Sequence, residues 1–258
     1  MNQAFTPITP TDKVLCLGGF PIISATSRDV ESRIGKTLDT EEKFALFFAN
    51  TNFVVQCQYL KDEMLKKPTM IINDGIGLDI AAKLIHGEKF PENLAGTDFL
   101  PALLHNGKDN IRVFLFGAKP GIAARGAQTL RTEYGVNVVG TADGYGEARD
   151  LPKLIATINA SKANLIFVAM GNPLQEEWIV KHRDELNANV MIGVGAFLDF
   201  LAGDKPRAPE LIRKLRLEWF YRLCLEPTRL MRRYTIDIAK FLAICFRTGK
   251  ESHAPGIN

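Results

Sequence analysis

The residues best suited to chemistry in this 258-residue chain stand where short apolar runs give way to glycine. In "INDGIGLDIA", Asp74 follows Met70–Ile72 closely, and Gly75 and Gly77 let the backbone turn into a helix. A carboxylate there suits general-base work, taking a proton from a hydroxyl as its oxygen attacks. Aspartate is also a good helix N-cap, and residue type and place leave both roles open. In "AMGNPLQEEWI", Gly171 ends an apolar run, and Gln175 and Glu176 fall in the first turn of an expected helix on the same rim as Asp74. A role that needs no substrate is also open to Glu176 and Glu177, that of complementing the helix dipole. "GVGAFLDFLAG" adds Asp199, as a cap, an arginine partner or a ligand contact, and "GTADGYG" adds Asp143 in a loop. "LFGAKPG" brings Gly117 before a helix whose first N–H groups can hold phosphate, although a plain strand-to-helix turn reads the same way.

Missing motifs narrow the chemistry. There is no D-x-D, no H-E-x-x-H, and no ligand spacing among His86, His105, His182 and His253, so no catalytic metal is expected. A G-x-S-x-G elbow is absent, and no cysteine stands beside a base at a strand end, which argues against acyl-enzyme chemistry. Cys16, Cys57, Cys224 and Cys245 lie far apart, with neither a disulfide framework nor a zinc pattern. A departing diphosphate would then need another source of positive charge, and arginine's planar fork supplies it. From Lys205 to Arg233 the chain carries nine Lys or Arg against three Glu, within a net charge of only +3. A basic segment on a mildly acidic body points to a phosphate, nucleic-acid or lipid-headgroup partner, or else to a solvated helix face.

These groups need a scaffold. Val14–Leu17, Phe44–Asn50, Thr69–Asp74, Ile111–Gly117, Val136–Gly140, Asn164–Met170 and Asn189–Gly195 are nearly continuous apolar runs, the pattern of strands buried on both faces. Helical stretches alternate with them, among them Gly121–Tyr134, Leu151–Ser161 and Pro173–Leu186. That alternation predicts a Rossmann-like, doubly wound α/β fold with a mainly parallel sheet, whose ligands bind beyond the carboxyl ends of the strands. After Gly203 no further strand is expected. The chain reads as a catalytic domain over 1–203 and a helical, arginine-rich appendage over 204–258. The N-terminus lacks a signal-peptide pattern and no apolar run reaches the ~18 residues of a membrane span, so a cytoplasmic protein is expected. The apolar stretch "IDIAKFLAICF" is short enough to dock on protein or to insert shallowly in a bilayer.

Taken together, "INDGIGLDIA", "LAGTDFL", "FLFGAKPG", "VAMGNPLQEEWI", "GVGAFLDFLAG", "RAPELIRKLRLEWFYRL" and "EPTRLMRRY" resemble, in the same order, blocks of the WecG/TagA/CpsF glycosyltransferases. The resemblance spans roughly Leu15 to Tyr234. It implies an inverting, metal-independent transferase that moves a sugar from a UDP-sugar to a monosaccharide linked through diphosphate to a polyprenyl lipid. It further implies work at the inner face of the cytoplasmic membrane in cell-surface polysaccharide synthesis, with no cofactor beyond the donor. By position Asp74 matches the base and Gln175 a residue near the sugar, and Arg207, Arg222, Arg229 and Arg232 match the grip on diphosphate. Asn52, Asn73, Thr97, Asp98, Gly117, Asp143, Gly171, Glu176 and Asp199 complete the expected substrate-binding set. The family often reads Thr-x-Asn after the second strand, and here Asn50 replaces the threonine. A nucleotide-dependent oxidoreductase suits the sheet pattern but lacks the glycine fingerprint. A nucleic-acid-binding module leaves Asp74 and the Gln-Glu turn unexplained. Self-association is left open by the apolar tail.

Overall fold

The computed structural model describes residues 12–107, 109–206, 208–209, 212, 218–225 and 227–251. Its strands are β1 (Val14–Leu17), β2 (Phe20–Ile23), β3 (Phe44–Ala49), β4 (Thr69–Asn73), β5 (Arg112–Gly117), β6 (Asn137–Ala142), β7 (Leu165–Ala169) and β8 (Val190–Gly193). They form one eight-stranded sheet in the order β1-β2-β4-β3-β8-β7-β5-β6. Every pairing is parallel except β1 with β2. This is the α/β, doubly wound architecture expected from the apolar runs. The addition is β2, which the sequence reading did not separate. Gly18 and Gly19 make a two-residue turn with φ of +62° and +79°, a conformation glycine enters without steric cost.

The helices are α1 (Ser27–Leu38), α2 (Thr51–Gln56), α3 (Lys61–Leu65), α4 (Ile76–His86), α5 (Gly96–Asn106), α6 (Ile122–Glu133), α7 (Leu151–Ala160), α8 (Leu174–His182), α9 (Phe197–Leu201), α10 (Glu218–Leu225) and α11 (Pro227–Glu251). Successive strand side chains point to opposite faces, so each buried strand feeds two cores. Ala45, Phe47 and Ala49 of β3 face one core, which they share with Phe53 of α2, Leu78 of α4 and Ile179 of α8. Phe44, Leu46 and Phe48 face the other, shared with Val30 of α1, Leu103 of α5, Leu130 of α6 and Leu198 of α9. Helices on both faces are what all-parallel strands require.

Helix α11 packs on α2, α4 and β1. Asp237, Phe241 and Cys245, spaced by four, form its buried stripe, and Ile244 lies beside the Gly18 turn. Much of the "IDIAKFLAICF" segment therefore docks on the body of the same chain. Met231, Ile236 and Phe246 remain exposed on its other side. Among the described residues no helix is long and apolar enough to cross a membrane.

Candidate active site

The sheet's register assembles the site. Ala49 of β3 pairs with Asn73 of β4, so the next residues, Asn50 and Asp74, emerge side by side. The Asp74 N–H donates to Ala49 O at 2.7 Å, and Asn50 Nδ2 donates to Asp74 Oδ2 at 3.4 Å. The N-cap position of α4 is Gly75, so Asp74 stands one residue ahead of that cap. Its half-buried carboxylate stands at the rim, beyond the strand ends. Asn50 itself caps α2, accepting from Phe53 N–H at 3.0 Å. The residue that departs from the family pattern thus both starts α2 and steadies the candidate base.

Across the crevice, β7 and β8 pair in register, with Val168 opposite Gly193. Gln175, in the first turn of α8, reaches between the loops that follow them. Its Oε1 accepts from Gly171 N–H at 3.2 Å and from Gly195 N–H at 2.9 Å. Its Nε2 donates to Glu176 Oε1 at 2.8 Å, and Asn172 Nδ2 donates to the same oxygen at 2.6 Å. Asn172 Oδ1 in turn accepts from Asn52 Nδ2 of α2 at 3.4 Å. Burial pushes Glu176 up to about 7, with the Gln175 and Asn172 amides pulling against it. Burial, and then the nearby Glu176 carboxylate, pushes the Cys57 thiol up. Gln175 is 4% exposed and Glu176 1% exposed, so both stand behind the rim as part of its frame. Through these bonds they hold the loops after β7 and β8, and both belong to the expected substrate-binding set.

The other expected residues are spread along the same edge of the sheet. Gly117 ends β5 with φ of +114°, and a Cβ there would lie 2.5 Å from Ala169 O of β7, so only glycine permits this strand approach. The next loops are tied by Gly144 N–H donating to Ala118 O at 3.0 Å. Asp143 Oδ1 accepts from Tyr145 N–H and Gly146 N–H, both at 2.7 Å, and these bonds hold its carboxyl below the usual range. Asp143 therefore shapes its own loop. Asn73 is fully buried, donating to Glu92 O at 2.8 Å, which ties down the chain ahead of α5. Thr97 and Asp98 open α5 on the second face, where Thr97 borders a cleft with Phe197 and Phe200 of α9. Asp199 sits in the first turn of α9 with Lys205 Nζ 4.0 Å away. Arg207 lies outside the described residues, as do the side chains of Arg222 on α10 and of Arg229 and Arg232 in the first turns of α11.

Three participants went unread in the sequence. Asn172 sits between Gly171 and Pro173 in an already notable motif, and an amide beside a strand-end glycine was the available signal. Asn50 was noted as a departure but not as the partner of Asp74. Tyr145, 58% exposed on the loop after β6, offers a flat apolar face at the rim, and "DGYG" was its signal. Among the described residues no three His, Cys, Asp or Glu side chains gather in a way that could hold a metal ion.

A half-buried carboxylate at a strand end, a frame of amides, and a doubly wound sheet suit transfer to a hydroxyl acceptor. The family model described as "Glycosyl transferase WecG/TagA/CpsF family" matches residues 15–254, nearly the whole chain. The chain thus belongs to the WecG/TagA/CpsF glycosyltransferase family, whose members serve cell-surface polysaccharide synthesis.

Proposed function

We propose that this glycosyltransferase moves a sugar from a UDP-sugar to a monosaccharide carried on a polyprenyl diphosphate, with inversion and without a metal ion. Asp74 takes the proton from the acceptor hydroxyl. That oxygen forms the new bond to the donor's anomeric carbon from the side opposite the diphosphate, the old C–O bond breaks, and UDP leaves with its electron pair. Arginines of the appendage, Arg207, Arg222, Arg229 and Arg232, stabilise the charge that gathers on the diphosphate. Preorganised charge of this kind is worth about 3–4 kcal/mol of barrier per donor, against roughly 10²–10⁴-fold in rate for the base. The observation that carries the reading is the half-buried Asp74 carboxylate at the crevice, steadied by Asn50 and aligned by the β3–β4 register.

The membrane part of the proposal draws on a second surface. Ile76, Ile80 and Leu84 form an exposed stripe along α4 that starts two residues from Asp74, with exposures of 41%, 49% and 59%. Such a stripe, in a chain that also carries a basic segment, suits shallow contact with the cytoplasmic face of an anionic bilayer. Peripheral attachment there would bring Asp74 to a lipid-borne acceptor.

The test is transfer from a panel of UDP-sugars to short-chain lipid-diphosphate acceptors, with EDTA added in one arm. Turnover that survives EDTA and disappears in D74N while UDP binding persists supports the mechanism. Turnover that EDTA removes and manganese restores rejects the metal-free form.

A further inference from the structure

Glu176 is 1% exposed, and two amides of the site orient around it. An ionised carboxylate offers acceptors only, and with a proton on the unpartnered Oε2 the Oε1 oxygen still accepts. Asn172 and Gln175 must therefore each turn an NH₂ toward Glu176 Oε1 and a carbonyl oxygen away from it. For Gln175 that oxygen collects the Gly171 and Gly195 N–H groups and so joins the loops after β7 and β8. For Asn172 it meets Asn52 on α2, the helix whose cap, Asn50, reaches Asp74.

We propose that Glu176 is a positioning residue for sugar transfer: its one shared oxygen selects the orientation of two amides, and through them the spacing between the β7–β8 loops and the rim that carries Asp74. The inference rests on the proposed role of Asp74.

Stability alone accounts poorly for an acid at this place. The second oxygen, Oε2, is buried and lacks a hydrogen-bond partner of ordinary geometry among the described residues. The groups facing the carboxylate are the Cys57 thiol, a weak donor, and the acidic Glu177 and phenolic Tyr59 near that thiol. No cation offsets the burial in this set. A buried charge without a counter-charge costs the fold free energy. What an acid supplies here that an apolar side chain does not is one acceptor oxygen shared by both amides. A glutamine's carbonyl oxygen can fill the same place, whereas a leucine would leave both amides free to flip. Misplacing reacting groups by about 1 Å can cost on the order of 10²-fold in rate, so the spacing is where the effect should appear.

The experiment compares wild type, E176L, E176Q, N172A and E176L/N172A, using the best donor–acceptor pair found for the wild-type chain. Two readouts are taken: kcat and KM for each substrate, and hydrogen exchange at the Gly171 and Gly195 amides without substrate. Folding is checked by circular dichroism and thermal melting. E176L is expected to lower kcat by about 10- to 100-fold with donor KM within about threefold, and to speed exchange at both glycines. N172A should lower kcat similarly, and the double variant should fall little below E176L, because the two residues act in one chain. E176Q, which keeps an acceptor oxygen, should recover most of kcat. If E176L does not fold, N172A and E176Q carry the test, and full kcat in N172A or a kcat as low in E176Q as in an empty preparation overturns the inference. A folded E176L with wild-type kcat, or independent multiplying effects of E176L and N172A, overturns it as well. A wild-type chain that transfers no sugar in any pair brings down the transferase mechanism, and this inference with it. An active wild type beside an unaffected E176L brings down this inference alone.

Discussion

Asp74 and Glu176 are carboxylates that follow strands of one sheet, β4 and β7, yet the fold gives them opposite surroundings. Asp74 stands half-buried at the crevice, with the Asn50 amide at 3.4 Å. Glu176 is sealed behind the rim with two short amide bonds on one oxygen. An open carboxylate can trade a proton with a bound hydroxyl. A sealed one can do so only at the expense of the bonds that hold its neighbours, and burial raises its proton affinity besides. Under the proposed mechanism the contrast separates a group that reacts from a group that keeps the frame in shape, a division common where precise geometry matters.

The largest effect should come from the open member. D74N is expected to cut kcat by roughly 10²–10⁴-fold, with UDP binding retained in a thermal-shift or calorimetric titration, whereas E176Q keeps most of its turnover. Equal losses in the two variants would erase the contrast. A second test attacks the support of the open side. Phe241 of α11 is 1% exposed, and α11 packs on α2, which carries Asn50 and Asn52. F241A should cost about 3–5 kcal/mol of stability, seen in urea unfolding, and should speed hydrogen exchange in α2 more than in α8. Uniform acceleration across both helices would mean the two sides are braced together.

Third in size is a pH effect on the closed side. Glu176 is raised to about 7 in the folded chain, above an ordinary carboxylate near 4.5. Between those values the folded state holds a proton that the unfolded state has released. The stabilisation is therefore full below about 4.5 and is lost as pH climbs through about 7. Wild type should lose roughly 2–3 kcal/mol relative to E176Q between pH 5 and pH 8, each pK unit being worth about 1.4 kcal/mol. Urea midpoints of both proteins across that range provide the measurement, and parallel curves would contradict it. The smallest expected change is N50A, which removes the α2 cap bond and the Asp74 contact together. It should cost about 1 kcal/mol of stability and a severalfold drop in kcat, read from melting and steady-state rates.

Much of the scaffold could be read from the residues. The expected runs Phe44–Asn50, Thr69–Asp74 and Asn189–Gly195 became β3, β4 and β8 with ends trimmed, and Gly121–Tyr134 and Leu151–Ser161 became α6 and α7. Continuous apolar runs are a strong signal because strands covered on both faces admit few polar residues. The hairpin was missed because β1 and β2 are four residues each, and "VLCLGGFPII" reads as one apolar stretch unless the paired glycines are taken as a turn. The apolar tail allowed two fates, and helix periodicity had no means of choosing between protein and bilayer as the partner of Phe241 and Cys245.

The site divides along the same line. Residue type and local neighbours were enough to put Asp74 at a strand end and Gln175 and Glu176 in a helix's first turn, since those features depend on a few consecutive residues. Which acid would face the crevice was decided by packing between distant segments. Asn52 meets Asn172 across 120 positions of chain. Gly195 meets Gln175 because β8 slots in between β3 and β7. Solvent access and amide partners are properties of those encounters. The same carboxylate chemistry is therefore half-open to solvent at one place and sealed among amides at the other.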